Sequence, residues 1–245
     1  MHPALRSVAH RPWTLPSGPW VMAQSWHDLL FAHWPVPVDD LRALIPTQLE
    51  LDLRDGTAWV AVVPFWMSGV RARGIPAVPG LSRFPELNVR TYVKHRGKPG
   101  VYFFSLDAAS LPAVRATRSF YHLPYFYALM ETREAEGSVA YASARVGALA
   151  ELRGRYRAVS PVELRAPGTI EHWFTERYCL FTVHRDVVYV GEIHHQPWPL
   201  QNAEAEIEHN TMGQAAGIVL PEVAPLLHFA RRIDVVVWPL RRAQG

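Results

Sequence analysis

Among 245 residues there is one cysteine, Cys179, and there are two lysines, Lys94 and Lys98. A lone thiol cannot close an intramolecular disulfide, so packing must hold the fold, and the expected setting is a reducing cytoplasm. Arginine carries nearly all the positive charge, yet the formal net charge is only +3. No basic block or basic helix stands out, which argues against nucleic-acid binding, and the pairs Arg231-Arg232 and Arg241-Arg242 read as solvated surface. No apolar run approaches the ~20 residues that span a bilayer, and the opening MHPALRSVAHRPWTLPSGPW lacks the apolar segment of a signal peptide, so no membrane association is expected. GxGxxG, Walker and GxSxG motifs are missing, and no cofactor is expected. There is no HExxH and no cysteine cluster. His194 and His195 would point to opposite faces of a strand and make poor co-ligands, so no metal is expected either.

What is present is apolar and aromatic. Hydrophobic residues make up 49% and charged residues 19%, the balance of a folded globular chain, with Trp 9, Tyr 9, Phe 10 and Pro 21. Aromatics pack well on pleated sheets and proline punctuates loops, so a mainly β chain with a few short helices is expected. Residues 1–19 read as a Pro-rich arm lying on the body or on a partner subunit, and residues 20–245 as one domain. A first strand is expected at 21–34, stopped by Pro35, and then a helix at 40–45 capped by Asp39. Residues 49–53 and 58–65 read as a hairpin over Asp55-Gly56, with Pro64 at an edge or bulge. A Gly/Pro/Arg-rich loop follows at 69–85. Further hairpins are expected at 125–133 with 138–147 and at 178–184 with 187–195. Thr169 caps a short helical turn, residues 203–208 alternate like a half-exposed strand, and 229–240 close the chain.

The chain is organised around residues 85–127. Along its first strand, Glu86, Asn88, Arg90, Tyr92 and Lys94 alternate with Leu87, Val89, Thr91 and Val93, putting polar and apolar sets on opposite faces. The polar set is either a solvated face or the polar wall of an internal cavity. The segment 111–121 reads as a helix with Arg115 and Arg118 on one side, either solvated or placed to hold an anion. A knot of rings follows from Tyr121 to Tyr127 around His122, a packing residue or a general acid–base. For the cavity reading, Arg90 or Arg118 would hold a carboxylate and Glu86 or His122 would handle a proton. Asn88, Tyr121 and Tyr125 would complete the site.

The blocks PFW, VPGLSRFPELNVRTYV, PGVYFFSLDAA, LPYFYALM, TERYCLF and PWPL resemble the YqjF-like family of uncharacterised bacterial proteins, over nearly the whole chain. That family is similar in fold to acetoacetate decarboxylase, which implies a closed or nearly closed antiparallel β barrel around an internal pocket. The decarboxylase pattern, roughly Gly-Arg-Glu-x-x-Gly-Phe-Pro-Lys-Lys, is matched at Arg118 and Pro124. Its glutamate position is Ser119, and its two lysine positions are Tyr125 and Phe126. Phenol and phenyl rings cannot form an imine with a ketone, so Schiff-base decarboxylation is not expected. The resulting reading is a pocket for a small organic molecule with a carboxylate or carbonyl group. A non-catalytic sensor, or a structural oligomer with a filled core, are the alternatives. The resemblance leaves room for a homo-oligomer.

Overall fold

The computed structural model describes residues 1–243, so the last two residues of the expected domain lie outside it. The first strands are β1 (Met22–Val36), β2 (Glu50–Leu51), β3 (Ala58–Ala72), β4 (Phe84–His95) and β5 (Lys98–Ala108). Then come β6 (Tyr125–Ala135), β7 (Ser138–Arg145), β8 (Glu151–Ala158), β9 (Cys179–His184) and β10 (Val187–His194). The last are β11 (Gln201–Asn210), β12 (Leu226–Val237) and β13 (Arg241–Arg242). The helices are α1 (Val38–Arg42), α2 (Leu111–Tyr121), α3 (Ile170–Thr175) and α4 (Met212–Ala215). Among the described residues no helix is long and apolar enough to cross a membrane.

Five long strands, in the order β12-β1-β3-β4-β5, form an antiparallel wall. Two branches leave this wall and return to it. From the C-terminal half of β5, β6-β7-β8-β11 leads back to β12 at Phe229 and His228. From the N-terminal half of β5, β9-β10 leads back to β12 at Val237 and Val236. Each branch completes a circuit of paired strands through the same wall. Both branches join β5 in parallel, at Leu106–Tyr125 and Val101–Leu180, the exceptions to an otherwise antiparallel sheet.

Because both faces of the wall are covered, each has its own core. Leu30, Trp34, Val62 and Val89 pack with Tyr141 and Tyr156 on one side. Leu29, Phe31, Val63, Phe65 and Met67 pack with Trp198 on the other. The alternation of β4 is therefore not a wet-and-dry pattern. Its residues from Glu86 to Val93 are all buried, and only the end at Lys94 and His95 opens to partial exposure.

Local irregularities keep side chains aimed at the second core along the full length of the wall. In β1 the inward set is Met22, Gln24 and Trp26 before Asp28, and Leu29 and Phe31 after it. Asp28 is in the left-handed region (φ 50), and the β1–β3 register shifts here. Pro64 lies in β3 opposite this irregular stretch, where no regular pairing asks for its missing N–H, so it occupies a bulge inside the sheet.

Some local expectations change. β1 runs through Pro35 to Val36 because beyond His33 it pairs only with β3, leaving one edge without partners. α1 starts earlier, with Pro37 at the cap position and Asp39 and Asp40 in the first turn. Residues 49–53 do not form a hairpin with β3. β2 pairs with β4, and the Asp55-Gly56 turn, positive in φ at both residues, closes a single Arg54–Thr57 bridge. The N-terminal arm lies on the body, opening with a 3-10 turn at Pro3–Leu5, and Ala4 and Arg11 are buried.

Candidate functional site

Between the second face of the wall, α2, the end of α3 and the segment after β10 lies a cavity of about 260 Å³. Most of its lining is apolar, from Leu29, Phe65 and Met67 on the wall to Leu106 and Leu123. Two sets of polar groups face the cavity from β4 and the elements packed against β4, and His195 faces it from the other side.

The first set joins β4, α2 and β6. Glu86 is 3% exposed, and the Tyr125 hydroxyl donates to its Oε2 at 3.0 Å. No arginine, lysine or histidine among the described residues forms an ion pair with it. Burial pushes its carboxyl up to about 8, with the Asp107 charge adding to the shift, against opposing hydrogen bonds from Tyr125 and Asn88. Glu86 is therefore a neutral, hydrogen-donating acid near pH 7. Burial also holds the Tyr125 and Tyr121 phenols above their usual range, so both remain O–H groups. Asn88 is next along the same face, and its Oδ1 has no partner.

The second set is cationic. Arg90 is 9% exposed, and its one hydrogen bond is a long contact from Nη2 to the Phe174 carbonyl at 3.5 Å. Its Nε has no partner. The guanidinium carbon lies 5.5 Å from the Phe31 ring centroid and 5.8 Å from that of Tyr92. Arg177 stands beside it, 5.0 Å from the same Tyr92 ring. It donates through Nε to the Trp173 carbonyl at 2.7 Å and through Nη1 to Asp52 at 2.5 Å, leaving Nη2 without a partner. The two guanidinium groups thus hold consecutive carbonyls at the end of α3. Asp52 balances Arg177 and also pairs with Lys94 at 2.8 Å, but no carboxylate pairs with Arg90 among the described residues. A buried ion without a counter-charge costs several kcal/mol, and a cation–π contact returns about 0.5–2 kcal/mol. The balance at Arg90 is uncompensated positive charge in the cavity wall.

His195 and Trp198 line the side opposite the wall. The Nδ1 of His195 faces the Gln196 carbonyl at 2.7 Å; a carbonyl can only accept, so this nitrogen carries the hydrogen. Burial lowers the imidazole's pKa, keeping the ring neutral, and Nε2 is a lone pair without a partner. The N-terminal arm braces this segment. His10 Nε2 donates to the His195 carbonyl at 2.8 Å, and Arg11 bonds the Ile193 carbonyl and the Glu192 carboxylate.

Five of the seven residues singled out from the sequence line this cavity: Glu86, Asn88, Arg90, Tyr121 and Tyr125. Arg118 and His122 do not. Ser110 caps α2, and the helix turns Ala113, Ala116, Thr117 and Tyr121 toward the cavity while Arg118 stays exposed; its Nε donates to the Tyr125 carbonyl and its guanidinium lies over Phe126. His122 ends the helix in the left-handed region (φ 51), with its ring stacked on His184 at 4.1 Å. Arg177 and His195 also line the cavity; in the sequence Arg177, with Glu171 and Glu176, reads as a structural pair before it reads as the closure of a pocket end, and His195 as half of a histidine pair. They arrive through the β9–β10 branch, about 90 residues or more from β4, and no periodic pattern flags them. Neither lysine lines the cavity: Lys94 pairs with Asp52, and Lys98 with Glu192 at 3.0 Å.

Residues 23–234 match the model of DUF2071, a family of uncharacterised conserved proteins. The chain belongs to the DUF2071 family. It is 50% identical to the uncharacterised protein YqjF of Bacillus subtilis (strain 168) over 230 residues, 94% of this chain and 95% of that one. In fold it is similar to the acetoacetate decarboxylase of Legionella pneumophila (TM-score 0.65, 13% identity, 99% and 94% of the two chains covered). It is also similar to the enduracididine biosynthesis enzyme MppR complexed with pyruvate (TM-score 0.64, 11% identity, 96% and 93% covered). At these identities the likeness to the solved structures is one of fold.

Proposed function

We propose that this DUF2071 chain binds a small organic carboxylate non-covalently in the internal cavity. The observation that carries the reading is Arg90, a buried guanidinium in the cavity wall with no carboxylate partner among the described residues, beside the Nη2 of Arg177, which has no partner there either. A bound carboxylate would supply the missing counter-charge, and guanidinium forks match its two oxygens. The pyruvate bound by the distantly similar MppR is a small carboxylate too, which agrees with this choice. Catalysis through an imine is not part of the proposal, because the lining has no lysine amine.

Thermal-shift and calorimetric titration with short- and medium-chain carboxylates test it, with the matching primary amides as controls. Carboxylates should raise Tm in proportion to the logarithm of their concentration, and amides should not. Arg90→Gln should weaken carboxylate binding by about 30-fold or more, the loss of a charge-assisted pair in a low-dielectric site. Equal binding of acids and amides, or an unchanged affinity in the variant, would overturn the proposal.

A further inference from the structure

The cavity has two polar ends of opposite character on one strand face. Arg90 and Glu86 are four residues apart on β4, and both line the cavity, so their Cα atoms are separated by about 13 Å. At the Arg90 end the polar groups are cations with spare N–H donors. At the Glu86 end they are neutral O–H groups, the Glu86 carboxyl and the Tyr121 phenol, with Tyr125 committed to Glu86. No anion would settle at this second end, since nothing cationic faces it. An uncharged acceptor would, because a carbonyl oxygen can take the hydrogens offered there. Between the ends the wall is mostly hydrocarbon: Phe31 on β1, Val63 on β3, and Phe103 and Leu106 on β5, with Asn88 on β4 and His195 on the opposite side as polar exceptions.

We infer that the ligand is a two-headed molecule, an oxo-carboxylate whose ketone is separated from its carboxylate by an apolar chain. The carboxylate lies at Arg90 and Arg177, the ketone oxygen accepts from Glu86 and Tyr121, and the chain between fills the hydrocarbon middle. A 2-oxo acid, whose two groups adjoin, satisfies one end and leaves the donors at the other without partners. This inference rests on the carboxylate reading above but adds the second head and the distance between the two.

The test is a series of straight-chain oxo acids of one total length, with the ketone moved stepwise away from the carboxylate, titrated into the full-length protein by calorimetry. Affinity should peak when the ketone lies roughly seven to nine carbons from the carboxylate, to match the strand spacing. At that peak it should exceed that of the plain fatty acid of equal length by about tenfold, the worth of one or two buried hydrogen bonds. Glu86→Leu should remove this advantage and leave the plain fatty acid within about twofold. Tyr121→Phe, on a half-buried ring whose hydroxyl is all that changes, should lower it in part. An affinity independent of ketone position in the unmodified protein would overturn the inference. If affinity ignored ketone position while Arg90→Gln still weakened the binding of every acid, the carboxylate site would stand and the second head would fall. If no acid bound at all, both would fall together.

Discussion

Glu86 carries a carboxyl where ionisation is expensive, and that has a consequence for stability that needs no ligand. Its folded-state value of about 8 lies above the ordinary 4.5. Between those limits the folded chain keeps a proton that the unfolded chain has released, so stability falls as pH rises through the window. Glu86→Gln keeps an acceptor for the Tyr125 hydroxyl and removes the titration. Urea denaturation should find the variant close to the unmodified protein at pH 5, and more stable at pH 8 by on the order of 3–5 kcal/mol. Parallel stability curves for the two proteins would sink this account. The contrast with His122 is also local. Both residues carry a titratable group in the central stretch, but His122 occupies a left-handed helix end and its ring is committed to His184. Composition marks both, and only backbone geometry separates them.

At the scale of elements, Asp28 holds the wall in its working shape. Its backbone lies in the left-handed region, its carbonyl accepts from the Tyr156 hydroxyl at 2.8 Å, and its carboxylate accepts from Trp66 Nε1 at 2.9 Å and Arg231 at 2.8 Å. The change of phase in β1 lets Trp26 and Leu29 both face the cavity. Asp28→Ala would keep the strained backbone with a residue that disfavours it and strip two donors of their acceptor. We expect a loss of about 2–4 kcal/mol by calorimetry, mostly recovered in Asp28→Asn, which tolerates positive φ and keeps an acceptor. Equal loss in both variants would mean that the charge on Arg231, and not the bulge, is what matters. Elements of this kind were the least legible from sequence. The period-two pattern of β4 showed directly which residues share a face, and the segment 111–121 was legible as the helix α2. A phase change, by contrast, breaks the very periodicity by which strands are read, and the two-residue β2 offers no pattern by which to choose β4 over β3.

At the scale of the whole molecule, covering both faces of one wall buries many polar side chains, among them His33, His194, His195 and His228. His33 is stacked on Phe174 at 3.7 Å and bonded to the Tyr92 hydroxyl, and burial holds its pKa well below 6.5. Burial also lowers His195 and His228, and His194 to about 4. Below pH 6.5 the unfolded chain gains protons on these rings that the folded chain does not, so each contributes stability that is lost as pH falls, at roughly 1.4 kcal/mol per pH unit until its folded value is reached. Glu86 works in the opposite direction from 4.5 to 8, joined at the acid end by Asp107, whose carboxyl burial also raises. Under pH 6.5 these four histidines, joined by His2 and His27, whose pKa values burial also lowers, outweigh the two carboxyls; above it Glu86 dominates. Stability should therefore peak near pH 6.5 to 7, falling steeply on the acid side and gently on the alkaline side. The free energy from urea melts at half-unit steps from pH 5 to 8.5 reads this directly, and a plateau across that range would mean that water reaches these rings in the folded state and pays their charging cost.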